Sequence, residues 1–150
     1  MFDKIIKKFE IWFPVKSKLD NNKHRPPYFK EGEIWWSYIG ENIGIESNGK
    51  SNAFTRPVLV FKKYDQYSFL AIPLTTKPKT GSWYHTVCIK NVKQTATLSQ
   101  GRVMDYRRLK EKICELERYE LYLLYLDYIK LHIKIDPSHC RVKVVGNPQI

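Results

Sequence analysis

The sequence predicts a mainly β domain with some α: a small barrel of short strands, an amphipathic helix ahead of it and a second helix on its C-terminal side. Three observations carry this. From Glu31 onward, short apolar runs alternate with Gly, Pro and Asn turn signals, as in all-β domains. At either end the spacing changes to the helical period, with Phe2, Ile5, Ile6, Phe9 and Phe13 on one face and Leu121, Leu124, Tyr125 and Tyr128 on another. And 150 residues, 43% of them apolar and 14% aromatic, are enough for one packed core and too apolar for a disordered chain.

The elements follow in order. MFDKIIKKFEIWF predicts a basic amphipathic helix stopped by Pro14. Its apolar face would dock on the domain or a second subunit, or lie on a membrane surface. KSKLDNNKHRPPYFK reads as a linker, so residues 1–30 form a helix-plus-linker unit ahead of a domain at 31–135. EGEIWWSYI opens the first strand, in which at least one of Trp35 and Trp36 must face the core because neighbours point to opposite sides. GENIGIESNGKSNAFT is a long loop. Val58–Phe61 and Ser68–Leu74 make a hairpin, WYHTVCI a half-buried strand, and TATLSQGRVMDYRRL with LKEKICEL further short strands. ERYELYLLYLDYIKLH is helical. Residues 136–150 form a tail, with a late hairpin turning at Asp136-Pro137.

Charge narrows the partners. Twenty-six Lys and Arg against fifteen Asp and Glu leave +11, which predicts an anionic partner. Three cysteines, far apart and without C-x-x-C, read as free thiols of a reducing cytoplasm. The adjacent His139-Cys140 has poor ligand spacing, so no metal or other cofactor is expected. No apolar run approaches the length of a membrane span, and the N-terminus lacks the uninterrupted apolar core of a signal peptide.

The hairpin brings chemistry to its open end. With the turn centred on Asp65-Gln66, paired residues sum to 131, which sets Arg56 opposite Thr75 with Cβ atoms about 4.5–5.5 Å apart. Pro57 and Pro73 carry no ladder donor, so pairing should loosen there. An Arg fork beside a hydroxyl can hold a phosphate; on hairpin logic alone the commoner case is a surface Arg56 paired to a carboxylate, with Thr75 a strand-end filler.

A resemblance weighs on that choice. GEIWWSYIG, Gly44-Ile45-Glu46, Arg56-Pro57-Val58, Pro73-Leu74-Thr75-Thr76 and TLSQGRVMD (97–105) come in the order seen in MazF/PemK toxins, from about Glu31 to about Leu131. The resemblance implies an SH3-like barrel, a homodimer, and a toxin–antitoxin endoribonuclease that cleaves single-stranded mRNA without a metal. It implies Arg56 and Thr75 as catalytic residues and Glu46 as a third, although the loop between Glu46 and Arg56 is longer here than in short bacterial members. The thirty-residue N-terminal extension also lies outside the core family pattern. Lys77, Lys79, Arg102, Arg107 and Arg108 would touch phosphates, and Phe54, Trp83 and Tyr84 would stack unpaired bases or pack in the core. His85 suits proton transfer on general grounds, but the family pattern places no histidine there. Gln100 and Asp105 match positions that shape the barrel. An acidic, partly disordered antitoxin would compete with RNA for the same groove. A gyrase poison like CcdB, and a barrel that binds RNA without cutting it, remain the alternatives.

Overall fold

The computed structural model describes residues 7–134. Its elements are α1 (Phe9–Asn21), β1 (Glu33–Tyr38), β2 (Thr55–Lys63), β3 (Ser68–Thr75), β4 (Tyr84–Ile89), β5 (Val92–Thr97), β6 (Arg102–Asp105), β7 (Leu109–Glu115) and α2 (Arg118–His132). Short 3-10 turns at Leu98–Gln100 and Tyr106–Arg108 flank β6. The strands form one antiparallel half-barrel in the order β4-β5-β3-β2-β1-β7, with β6 added beside β3. β3 is the pivot. One edge pairs with β2, and the other is shared between β6 at Ser68–Ala71 and β5 at Leu74–Thr75.

Alternation along each strand splits the core in two. Ile34, Leu59, Ile72 and Leu74 face α2, whose Leu124 is fully buried and whose Leu121, Tyr125 and Tyr128 pack against them. The Tyr125 hydroxyl donates to the Phe61 carbonyl at 3.0 Å, so this aromatic keeps its polar end satisfied while its ring packs edge-on against Phe61. Trp35, Val58, Val60, Phe69 and Met104 face the other way, onto Phe29. Trp35 is therefore core, whereas its neighbour Trp36 is exposed.

Several expectations need correction. The first helix does not stop at Pro14 but runs through it to Asn21. Pro14 is the helix's sixth residue, and the bond it forgoes is to the carbonyl of exposed Glu10, which water can satisfy. α1 docks through Trp12 and leaves Phe9, Ile11 and Phe13 exposed, so Phe9 and Phe13 of the expected apolar face do not pack, while Phe2, Ile5 and Ile6 lie outside the described residues. The expected linker is partly α1 and partly a packed strap, with Phe29 fully buried and the His24 carbonyl accepting from Tyr106 at 2.7 Å. β4 and β5 are joined by a tight turn at Lys90 and Asn91, both at positive φ, the hairpin geometry that matches strand twist. The C-terminal tail and its expected hairpin lie outside the described residues.

The β2–β3 register holds in part. Val58–Pro73, Leu59–Ile72 and Val60–Ala71 sum to 131, whereas Lys62–Leu70 and Lys63–Phe69 sum to 132. Phe61 is the extra residue of a bulge, its ring drawn into the α2 side of the core. At the tip, Asp65 accepts from the amides of Tyr67 and Ser68, both at 2.7 Å, and so builds the turn with its own side chain.

Candidate active site

The hairpin opens just above Val58–Pro73. Beyond that pair, β2 continues only along β1, with Arg56 opposite Ser37, while β3 leaves to join β5, with Thr75 opposite Thr95. Two prolines without N–H groups sit at the fork, so the ladder has nothing with which to close it. The Arg56 side chain spans the gap. Its Nη1 donates to the Leu74 carbonyl at 3.2 Å and its Nε to the Asn48 carbonyl at 2.8 Å. Burial pulls its pKa below the ordinary arginine value, but a guanidinium stays charged at any physiological pH. No carboxylate pairs with Arg56 among the described residues, unlike a surface arginine held in an ion pair.

Thr75 is buried at the end of β3. Its Oγ1 accepts from the Lys77 amide at 3.2 Å, which fixes the oxygen and leaves the hydroxyl proton free to donate elsewhere. Lys77 and Lys79 extend from the following loop into solvent, and the Lys79 ammonium stands 5.3 Å from the Tyr84 ring centroid. Trp83, 56% exposed, is an unpacked aromatic beside them. Across the sheet, Thr75, Thr95 and Thr86 pair in one line and so point to one face.

Glu46 lies in the long loop between β1 and β2, where its Oε2 accepts from the Ile43 amide at 3.0 Å. With Ser47, Pro73, Gln100 and Arg102 it lines a cleft of about 340 Å³. That cleft borders the Leu74–Thr75 end of β3 through Pro73. The Gln100 side-chain oxygen Oε1 accepts from the Ser47 amide at 3.0 Å, and Arg102 donates to the Asn42 side chain at 3.3 Å. Gln100 thus clamps the loop that carries Glu46 and Asn48.

Other expected residues go elsewhere. Phe54 is fully buried against Trp12, with ring centroids 5.4 Å apart, and offers no face to a base. Arg107 is bound to Asp105 at 2.8 Å and to the Asp20 carbonyl at 2.6 Å, so it bolts α1 to the barrel. Arg108 is half-buried, donates to the Tyr38 carbonyl at 2.9 Å and lies over the Trp12 ring. His85 pairs in register with Ala96, whose other neighbour is Leu74, so its ring shares the α2 face; there it meets Asp127 at 2.7 Å. Thr75 points to the opposite face, which separates the imidazole from the site. Sequence reasoning missed Asn48 and Thr95. Asn48 acts through its backbone, which no side-chain pattern reveals; for Thr95, the Thr-x-Thr alternation of β5 was the available signal. Among the described residues, no group of three or more His, Cys, Asp or Glu is placed to hold a metal ion.

A protein-family model for the PemK-like, MazF-like toxin of type II toxin–antitoxin systems matches residues 30–125. The chain belongs to this family. Solved structures with the same fold include MazF (Form-I) from Deinococcus radiodurans, 20% identical, covering 70% of this chain and 97% of that one at a TM-score of 0.55. An endoribonuclease in complex with its cognate antitoxin from a mycobacterial species is 10% identical, covering 73% and 100% at a TM-score of 0.57. MazE-MazF (Form-II) from Deinococcus radiodurans is 17% identical, covering 70% and 96% at a TM-score of 0.50. No curated protein sequence matches the chain. The family match begins after α1, so the N-terminal helix is an addition to the MazF/PemK region.

Proposed function

We propose that this MazF/PemK-family toxin is an endoribonuclease that cuts single-stranded RNA through the ribose 2′-hydroxyl, with Arg56 and Thr75 at the scissile phosphate. The observation that carries the reading is the anchored guanidinium. Two backbone carbonyls hold Arg56 at the fork beside Thr75, and its remaining N–H groups have no protein partner among the described residues. In the reaction a bond forms from O2′ to phosphorus and the bond from phosphorus to O5′ breaks. The products are a 2′,3′-cyclic phosphate and a 5′-hydroxyl. The 2′-hydroxyl proton passes to a base, and O5′ takes up a proton. Arg56 neutralises charge growing on the non-bridging oxygens, because its fork fits them and is aimed before substrate arrives. Thr75 donates its free hydroxyl proton to the same group. Glu46 is the carboxylate that lines the adjoining cleft and is the residue we assign to proton transfer there.

Lys77, Lys79 and Arg102 would hold neighbouring phosphates, while Trp83 and Tyr84 stack splayed bases. The same positive groove would receive an acidic, partly disordered segment of a cognate antitoxin, consistent with the antitoxin complexes among the similar structures. We place the working form in the cytoplasm, as a homodimer. Among the described residues, no helix is long and apolar enough to cross a membrane.

The test is incubation of the purified chain with a long single-stranded RNA in EDTA, followed by direct 5′ labelling with polynucleotide kinase. Fragments that label without prior phosphatase treatment are expected, together with loss of cleavage in Arg56→Ala. A gel shift without cleavage would leave the RNA-binding barrel, and inhibition of gyrase supercoiling without RNA cleavage would leave the gyrase poison.

A further inference from the structure

α1 reaches the site through one residue. Trp12 is 5% exposed and sits on the neck of the loop between β1 and β2. The neck is made by the two ends of that loop: the amides of Ile39 and Gly40 both donate to the Phe54 carbonyl, at 3.0 and 3.1 Å. Trp12 covers both ends. Its ring packs on Phe54, and it lies so close to Gly40 that a Cβ there would fall 2.2 Å from the indole. Gly40 is required on a second count, since its φ is +86°.

Phe54 itself is at φ +54°, a left-handed conformation that a bulky side chain rarely adopts. Such a residue persists only where its surroundings hold it. It lies two residues before Arg56, so the direction in which β2 begins depends on it. The loop's far side depends on the same neck. The Gly49 amide donates to the Gly40 carbonyl at 2.8 Å, and the preceding residue, Asn48, supplies the carbonyl that holds Arg56 Nε. α1 is pinned on either side of Trp12, by Lys8 to Asn52 at 3.2 Å and by the Asp20 carbonyl to Arg107.

We propose that α1 is a strap whose Trp12 is a positioning residue: it holds the Gly40–Phe54 neck and thereby aims Arg56. The proposal rests on Arg56 as the phosphate-binding residue, but its geometric half is independent of any activity. A tryptophan that only plugged the surface would add stability without affecting the guanidinium. A strap that aims Arg56 must change both the guanidinium's hydrogen bond and the turnover number, while leaving RNA capture by Lys77 and Lys79 intact. Small misplacements of a catalytic group cost about 10²-fold in rate.

The experiment compares Trp12→Ala and Trp12→Phe in the full chain, with Trp12→Leu read in place of Trp12→Ala if that variant does not fold. The first readout is the Arg56 Nε–H resonance, assigned by its disappearance in Arg56→Lys, and its exchange with solvent. The second is kcat and KM on single-stranded RNA. In Trp12→Ala the resonance is expected to exchange at least tenfold faster, kcat to fall roughly 10–100-fold, and KM to stay within about threefold. Trp12→Phe should restore most of both. A folded Trp12→Ala or Trp12→Leu with wild-type exchange at Arg56 overturns the strap whatever the protein's activity. Wild-type kcat with altered exchange overturns its role in the reaction. If the wild type cleaves no RNA, the nuclease reading fails, and the exchange data still decide the strap's geometry.

Discussion

Replacing Arg56 with lysine keeps the charge and removes the fork, which separates the two things this residue does. A guanidinium has five N–H groups. Two are used on the Asn48 and Leu74 carbonyls, so three remain for a phosphate. Lysine has three in all, on a single nitrogen that cannot bridge the fork and face the substrate together. Hydrogen bonds from a charged donor contribute about 1.5–3 kcal/mol each. Because the site opens to solvent, we place the loss in Arg56→Ala at about 2–4 kcal/mol, or roughly 5–15 °C in Tm for a domain of this size. Arg56→Lys should lose about half as much, since it can still satisfy one carbonyl. In cleavage both variants should fall at least about 10²-fold, because loss of one preorganised donor costs about 10²–10³. The assay pairs thermal unfolding with initial rates on a long single-stranded RNA. Arg56→Lys retaining more than about a tenth of wild-type rate would refute the fork argument. An unchanged or raised Tm in Arg56→Ala would show that the two carbonyl bonds do not brace the fold.

His85→Gln should cleave RNA within about threefold of wild type, since its ring lies with Asp127 on the α2 side of the sheet; a larger loss in a folded variant would put proton transfer back on this residue. Gly49→Ala should lower stability by about 1–3 kcal/mol and cut cleavage at least tenfold, because its Cβ would fall 2.0 Å from the Phe54 carbonyl group. Unfolding and rate measurements check both effects. Glu33 gives a pH prediction. Burial pushes its carboxyl pKa up, but hydrogen bonds from Lys112, Trp35 and the Lys30 amide outweigh that and hold it below 4.5. Its contribution is therefore fully present above about pH 4.5 and lost as pH falls through the lowered value. Glu33→Gln should be less stable at pH 7 by about 1–3 kcal/mol and show a flatter acid limb in stability against pH.

The hairpin was legible because its information is local. Val58–Phe61 and Ser68–Leu74 are short apolar runs, Asp65 makes the turn, and the prolines at 57 and 73 mark where the ladder stops. The Phe61 bulge was not legible, since it exists to fill a gap under Tyr125 of a distant helix. The same divide runs through the site. Counting residues puts Arg56 opposite Thr75, but the ladder stops at Val58–Pro73: Arg56 pairs with Ser37 and Thr75 with Thr95, and the guanidinium reaches β3 only through the Leu74 carbonyl. Phe54, Arg107 and Arg108 are committed elsewhere because α1 docks over them, and nothing in their own neighbourhood announces that. Pro14 misled for a related reason: a helix break was expected from chemistry that acts on a single carbonyl, whereas the packing of Trp12 and the Asp20–Arg107 link favour continuing the helix.

The sheet order has a consequence for how the toxin comes into being. β1 lies between β2, which follows it closely, and β7, which is made almost last. The β2–β3 hairpin with Arg56 and Thr75 can form early on a growing chain, as can the packing of Trp12 on Gly40 and Phe54. Until β7 is synthesised, however, β1 presents an unpaired edge and Glu33 lacks its Lys112 partner. Thr75 likewise waits for β5 to cover it. Late-paired strands of this kind make folding slow and leave sticky intermediates. The order of synthesis thus makes the hairpin first and the half-barrel that surrounds it last.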